Sequence, residues 1–257
     1  MLSISHKHLE LLPYIQHQNN MKKIVALILL CSTIQLANAQ LFSREKILNN
    51  ENFDKPFLSW GYFLGFNSYD FNFDYKTDKP DILVTKSTGF NVGLIGNMRI
   101  NDYLDLRLEP GLYITNRELT YHPSYFNGME FNDSDLTREV KSTYVHFPLL
   151  VKFSAKRLNN FKPFLLGGVS TAINLSSNEK NPEDNSNGQF RTKKNVFFYE
   201  IGFGIDFYLY YFKFTPSIRG VFGLNDELVR DVDPNSPWTS NIESMKTRGV
   251  FINFTFQ

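Results

Sequence analysis

The stretch FFYEIGFGIDFYL, residues 197–209, is apolar at every second position: Phe197, Tyr199, Ile201, Phe203, Ile205, Phe207 and Leu209. Glu200, Gly202, Gly204 and Asp206 lie between them. A period of two predicts a β-strand with two unlike faces. Two arrangements satisfy it. In a soluble barrel the aromatic face fills the interior and the acids meet water. In a membrane barrel the aromatic face meets lipid and the acids line the lumen.

The same alternation recurs along residues 57–257. It predicts eight strands, at about 57–70, 88–100, 103–116, 140–153, 162–174, 195–208, 211–223 and 246–257. In the first, Trp60, Tyr62, Leu64 and Phe66 share a phase, and Tyr69, Phe71, Phe73 and Tyr75 take the other. That change of phase at Asn67–Ser68 predicts a β-bulge.

The connections alternate in length. Segments 101–102, 154–161 and 209–210 are short, whereas 70–87, 117–139, 175–194 and 224–245 are long and polar. An antiparallel meander puts alternate connections at opposite ends, so one end has tight turns and the other has the long loops. Outer-membrane barrels have this asymmetry, with an even strand number and an apolar outer wall. A tilted strand needs about 9–11 residues to cross a bilayer, and these reach that length. The pattern leaves no helix to cover an aromatic face. The expected fold is all-β: an eight-stranded antiparallel up-and-down transmembrane β-barrel, with the aromatic face of 197–209 toward lipid.

Eight strands enclose a lumen that side chains can fill, so no open pore is expected. Charges inside must be paired. Asp105, Arg107, Glu109, Lys152, Glu200, Asp206 and Arg219 fall on the lumen phase and are expected to form a charge network. Gly202 and Gly204 would make room for its larger members.

Upstream, MKKIVALILLCSTIQLANAQ (21–40) has two lysines, a short apolar run and Ala37-Asn38-Ala39. This is the pattern of a secretory signal peptide with cleavage after Ala39. The run is too short for a spanning helix. The expected organisation is an upstream extension of the reading frame at 1–20, a signal peptide at 21–39, a periplasmic segment at 40–56 and the barrel at 57–257. Cys31 is the only cysteine, and Leu30 before it does not suit a lipoprotein signal. The exported chain then has no disulfide and no cysteine metal site. Segment 1–39 carries Lys7, Lys22, Lys23 and Glu10, so 24 of 27 bases and 25 of 26 acids remain beyond it. That balance argues against nucleic acid as a partner.

Catalytic patterns are weak. Beyond residue 39 the histidines are His122, in a polar loop, and His146, on a lumen phase. Asp105 and Glu109 lie two side-chain positions apart along one face, but Arg107 between them favours an ion network over acid–base work. The run NDELVRDVD (225–233) lacks the spacing and glycine of a calcium loop and reads as hydrated. Trp60 and Trp238 suit membrane interfaces or loop bases. Gly202-x-Gly204 has no helix after it and is not a nucleotide motif. No catalysis and no cofactor are expected.

The closing stretch Thr247-Arg248-Gly249-Val250-Phe251-Ile252-Asn253-Phe254 resembles the signal read by the outer-membrane assembly machinery, carried by Thr247, Gly249, Ile252 and Phe254. YVHFPLLVKF (144–153) followed by KPFLLGGVSTAINL (162–175) is similar to the outer-membrane β-barrel family common in Bacteroidota. His146 stands where that family often has Glu. SWGYFLGFNSYDFNFDY (59–75) and GIDFYLYYFKFTPSIRG (204–220) resemble the PorT proteins within it. The resemblance implies a place in the outer membrane with both termini periplasmic. It implies a structural or assembly role in type IX protein secretion and the associated gliding motility. The implied partners are outer-membrane lipid, the barrel assembly machinery during biogenesis and other type IX secretion proteins. The alternative is a scaffold or adhesin that binds ligands through its long loops.

Overall fold

The computed structural model of the chain describes residues 48–181, 185 and 190–257; the segments expected at 1–20 and 21–39, with Cys31, lie outside them. Ten strands form one antiparallel sheet: β1 (Leu58–Tyr75), β2 (Leu83–Lys86), β3 (Thr88–Arg99), β4 (Leu104–Leu108), β5 (Gly111–Thr120), β6 (Thr137–Ser154), β7 (Phe161–Asn174), β8 (Asn195–Tyr208), β9 (Lys213–Gly223) and β10 (Ile242–Phe256). β1 pairs with β10 on one side and β3 on the other, so the sheet closes into a barrel.

Two of the ten strands continue others. β4 and β5 keep one register along β6, Leu104↔Phe153 and Gly111↔His146. They part at Glu109-Pro110, where proline has no N–H for the ladder. β2 runs through Ser87 into β3 with a one-residue offset against β5, Lys86↔Arg117 and then Phe90↔Ile114, which is a β-bulge. The wall is eight strands around, divided into ten segments rather than eight.

The bulge expected at Asn67–Ser68 does not form. β1 keeps its register with β10 from Tyr62↔Phe256 to Asp74↔Ser244. Polarity inverts instead. Trp60, Tyr62, Leu64 and Phe66 point outward and are exposed, whereas Tyr69 and Phe71 point inward and are buried. Asp70, Asn72 and Asp74 take the outward positions beyond Ser68. The strand leaves an apolar surrounding at this level, so below it the outer wall is apolar and above it the inner wall is.

The belt below that level is continuous. On β8, Phe197, Tyr199, Ile201 and Phe203 are 46–63% exposed, and Phe90, Leu94, Leu149, Leu165, Val169 and Val250 extend the belt around the wall. An exposed apolar surface of this extent is not stable in water. It answers the question posed by residues 197–209: their aromatic face is outside. Tyr103, Tyr210 and Tyr211 are exposed in the tight turns at one end, as in the aromatic girdle of a membrane barrel.

At the other end strands run beyond the belt, so three of the four long loops expected are shorter than the sequence suggested, while 175–194 keeps its bounds. β1 reaches Tyr75, β5 reaches Thr120, β6 starts at Thr137 and β10 starts at Ile242. Phe71, Leu119, Tyr121, Phe126, Val140, Phe190, Leu228 and Met245 pack there into a buried core. This loop end is built like a soluble barrel, on top of a membrane one.

Gly202 and Gly204 are lumen positions where the interior comes close. A Cβ at Gly202 would lie 2.5 Å from the Ile218 carbonyl oxygen and 3.0 Å from Arg219 Cα. At Gly204 it would meet the Phe164 ring. Backbone cannot yield as a flexible side chain can, so Gly202→Val is expected to block assembly of the barrel. The check is loss of the fast-migrating folded band on unheated gels, with Gly167→Ala, whose nearest neighbour would be the Glu200 carbonyl oxygen at 3.9 Å, retaining it.

Candidate functional site

The lumen holds three polar layers. The middle one is built by side chains on or beside β4, β6, β8 and β9. Alternation on β8 turns Glu200 and Asp206 inward, and the same rule places Arg219 on β9, Arg107 on β4, Glu109 just after it, and His146 and Lys152 on β6. Arg219 bridges two carboxylates, Nη2 to Glu109 at 2.5 Å and Nη1 to Glu200 at 2.9 Å. Arg107 Nη1 adds to Glu109 at 3.2 Å, and its Nε donates to Asn97 Oδ1 at 3.3 Å. His146 Nε2 lies 3.1 Å from Glu200 and 2.7 Å from Ser170 Oγ. Lys152 forms a second centre, 2.5 Å from Asp206, which also accepts from Thr215 Oγ1 at 2.7 Å. The six charged side chains and His146 are 0–2% exposed.

Six of the seven residues expected to share a network are thus in two adjacent ion clusters. Asp105 is the exception. It is half-buried on β4 opposite Lys152 in register, but the ammonium is committed to Asp206, and Asp105 has no ion pair among the described residues. His146 is a member that sequence reasoning placed in the lumen but left out of the network. Its signal was its phase on β6, the same as Lys152.

The second layer lies toward the loop end. Arg117 donates to Thr247 Oγ1 (3.0 Å), Ser142 Oγ (2.7 Å) and the Tyr144 hydroxyl (3.1 Å), and stacks 3.8 Å from the Phe71 ring. Glu227 descends from the β9–β10 loop and accepts from Thr247 N (2.8 Å) and Oγ1 (2.9 Å). Burial pushes the Glu227 carboxyl up, against the pull of Arg117 and the Thr247 bonds. Asp231 accepts from Arg191 (3.0 Å) and Ser236 Oγ (2.5 Å). The stretch 225–233 is only partly hydrated: Glu227, Leu228 and Asp231 are buried as part of the cap, whereas Arg230, Val232 and Asp233 are exposed. His122 is exposed, and its Nδ1 caps a short turn by accepting from Ser124 N at 3.2 Å. Trp238 is half-buried, donating to the Asp135 carbonyl at 3.1 Å with Arg138 over its ring; Trp60 lies on the outer wall.

The third layer closes the turn end. Residues 48–56 lie across it: Asn49 and Asn50 donate to the Tyr208 and Leu209 carbonyls at 3.1 and 3.0 Å. Asp54 meets Lys162 (3.3 Å), Lys213 (3.5 Å) and the Tyr208 hydroxyl. Burial raises the Asp54 carboxyl, but Lys213, the Tyr208 hydrogen bond and Lys162 outweigh it and hold the group below the ordinary aspartate value of 3.8. A depressed carboxylate favours the native contact above its unfolded pKa, and that contribution is lost as pH falls through the native one. Residues 48–56 are expected to detach in acid, as pH falls below the ordinary aspartate value, and Asp54→Asn should detach them at neutral pH. Limited proteolysis within 48–56 reads both, and equal protection of the variant and the parent would refute the clamp.

Of the expected assembly signal, Thr247 is fully buried on Glu227, Ile252 and Phe254 point outward, and Gly249 lets Tyr69 approach, with a Cβ there 3.1 Å from its ring. Each residue thus has a place in the finished wall.

A model of the outer membrane protein beta-barrel domain matches residues 38–229. The chain belongs to that family. The match ends before β10, the strand that closes this outer-membrane barrel onto β1. A search of the curated proteins found no match. Among solved structures, the barrel is similar to the outer membrane protein OprG from Pseudomonas aeruginosa (14% identity, TM-score 0.39, covering 77% of this chain and 93% of that one). It is also similar to Neisserial surface protein A (8%, TM-score 0.38, 77% and 97%). A third is the attachment invasion locus protein Ail of Yersinia pestis, solved with a heparin analogue (11%, TM-score 0.35, 77% and 96%).

Proposed function

We propose that this outer-membrane barrel is a PorT-type component of type IX protein secretion, with a structural or assembly role and no catalysis. In this reading both termini and segment 48–56 are periplasmic, and the loop end faces outward. Its partners are outer-membrane lipid, the assembly machinery that inserts it and other type IX secretion proteins. The observation that carries the structural role is the lumen, where Arg107, Tyr113, Tyr144, Lys152, Phe198 and Arg219 are fully buried across the barrel. A barrel so filled acts through its surfaces. The likeness of 59–75 and 204–220 to PorT proteins supports the secretion role. Affinity capture of the tagged protein from outer membranes, with mass spectrometry, tests it: type IX proteins are expected in the eluate, and deletion of the gene should stop export of type IX cargo. Intact export after deletion would sink the proposal.

A second reading, a scaffold or adhesin, draws on the ordered cap of the loop end, where Trp238, Phe126 and Arg138 stack together. Capture of the barrel alone, with normal export, would favour it.

A further inference from the structure

The wall has a gap above the belt. β1 pairs with β3 only as far as Ser68↔Thr88, and its remaining half, to Tyr75, is held by β10 alone. β2 is held by β5 alone. β1 and β2 are the two ends of the sheet order, and among the described residues no backbone hydrogen bond joins them. Between them is a groove of about 370 Å³, with Phe71, Ile82 and Val84 in its lining and Asp70, Lys86 and Arg248 at its edge.

The direction of the edge groups follows from alternation. Ser87 N–H donates to the Asn116 carbonyl, so on β2 the N–H groups of Val84 and Lys86 point away from β5 and into the gap. On β1 the Phe71 N–H donates to Asp70 Oδ1 at 2.9 Å, which marks Phe71 and Phe73 as the residues that face the gap. The chain serves both ends itself, Phe71 through Asp70 and Ile82 N–H through the Tyr75 hydroxyl at 2.9 Å. For the N–H groups of Phe73, Val84 and Lys86 there is no acceptor among the described residues.

Free strand edges are either blunted by charge or used as templates for another strand. Here charge guards the foot of the gap, where Asp70 meets Lys86 at 3.3 Å and Arg248 at 3.0 Å. Above that point the N–H groups of Phe73 and Val84 meet no acceptor among the described residues, and Phe71, Ile82 and Val84 make the floor apolar. We propose that the gap is a strand-addition site that takes an extended segment of another polypeptide. β2 is four residues long, which sets the length of the paired segment. One phase of that segment would lie on Phe71, Phe73 and Val84 and be apolar; the other would face water beside Asn72 and Arg248 and be polar. Main-chain bonds would give affinity and the inward phase specificity. The site does not depend on whether the barrel serves secretion or adhesion.

The test uses the full chain in lipid nanodiscs and a fluorescent peptide Thr-Val-Thr-Val-Thr-Lys. A twin peptide carries N-methyl groups on alternate amides, which removes edge bonding and keeps the side chains. Lys86→Pro removes one gap donor and leaves the β2–β5 ladder. Saturable binding by the first peptide is expected, weakened about tenfold or more by N-methylation and by Lys86→Pro. The twin peptide leaves the protein unaltered, so the test stands even where Lys86→Pro fails to fold. No binding, or equal binding of both peptides, would overturn the proposal. So would a doubling of mass in light scattering that Lys86→Pro abolishes, since that assigns the gap to a second copy of the chain.

Discussion

Arg219→Met is expected to lower the unfolding stability of the barrel by about 3–5 kcal/mol, the range for removing one partner from a buried ion pair. Arg219 is the only group bonded to both Glu109 and Glu200 among the described ion pairs. Without it Glu200 keeps His146 and Glu109 keeps Arg107, but the strands that carry the two acids lose their bridge. Methionine fills much of the volume and supplies no charge. Urea unfolding in lipid vesicles, followed by tryptophan fluorescence, gives the number. Asp105→Asn is the matched control. It removes a lumen-phase acid with no ion pair among the described residues, so the expected change is within about 0.5 kcal/mol. A triple variant, Glu109→Gln, Glu200→Gln and Arg219→Met, should recover part of the loss, because neutral groups no longer leave a charge without its partner. Equal loss in Arg219→Met and Asp105→Asn would mean that the network does not hold the wall together.

The contrast between Arg219 and Asp105 shows what the sequence could and could not reveal. Period-two alternation assigns a residue to a face, and β4, β8 and β9 follow it along their length. It therefore put all seven charges inside. It does not say which inward charges meet, so it could not tell that Lys152, opposite Asp105 in register, pairs with Asp206 instead. The phase change at Asn67–Ser68 is the same limit seen from another side. Alternation records which face is apolar, and the apolar face is the outer one only inside the belt. Beyond it, Tyr69 and Phe71 obey water rather than lipid and turn inward without any change of register. A bulge and an inversion of polarity leave one signature in sequence.

Contacts made by non-strand segments were the least legible. Asp54 lies in a short polar stretch, and its partners Lys162 and Lys213 are 108 and 159 residues away. Glu227 lies among loop acids that read as solvated. Its burial depends on Thr247 offering both N–H and hydroxyl from β10. Neither local pattern nor charge count encodes such pairings; closure of the barrel makes them.

The polarity inversion gives the second large expected effect. Ile201 and Asn72 both point outward, Ile201 from the middle of the belt on β8 and Asn72 from β1 beyond it. An arginine on the lipid face costs about 2–4 kcal/mol near the bilayer midplane and about 0–1 near an interface. Ile201→Arg should therefore fall in the first range, and Phe197→Arg, four residues toward the loop end, in the second. Asn72→Arg should be neutral within about 0.5 kcal/mol, because its surroundings are aqueous. The three variants share one side chain and one direction from the wall, so the differences report only the medium outside. A soluble barrel of the same strand order would have Ile201 inside, where arginine would destroy the core outright. An aqueous outer face would make all three substitutions equal. Only a wall half in lipid and half in water yields a graded series along one outer surface, and that series locates the boundary at the level where β1 turns Tyr69 inward.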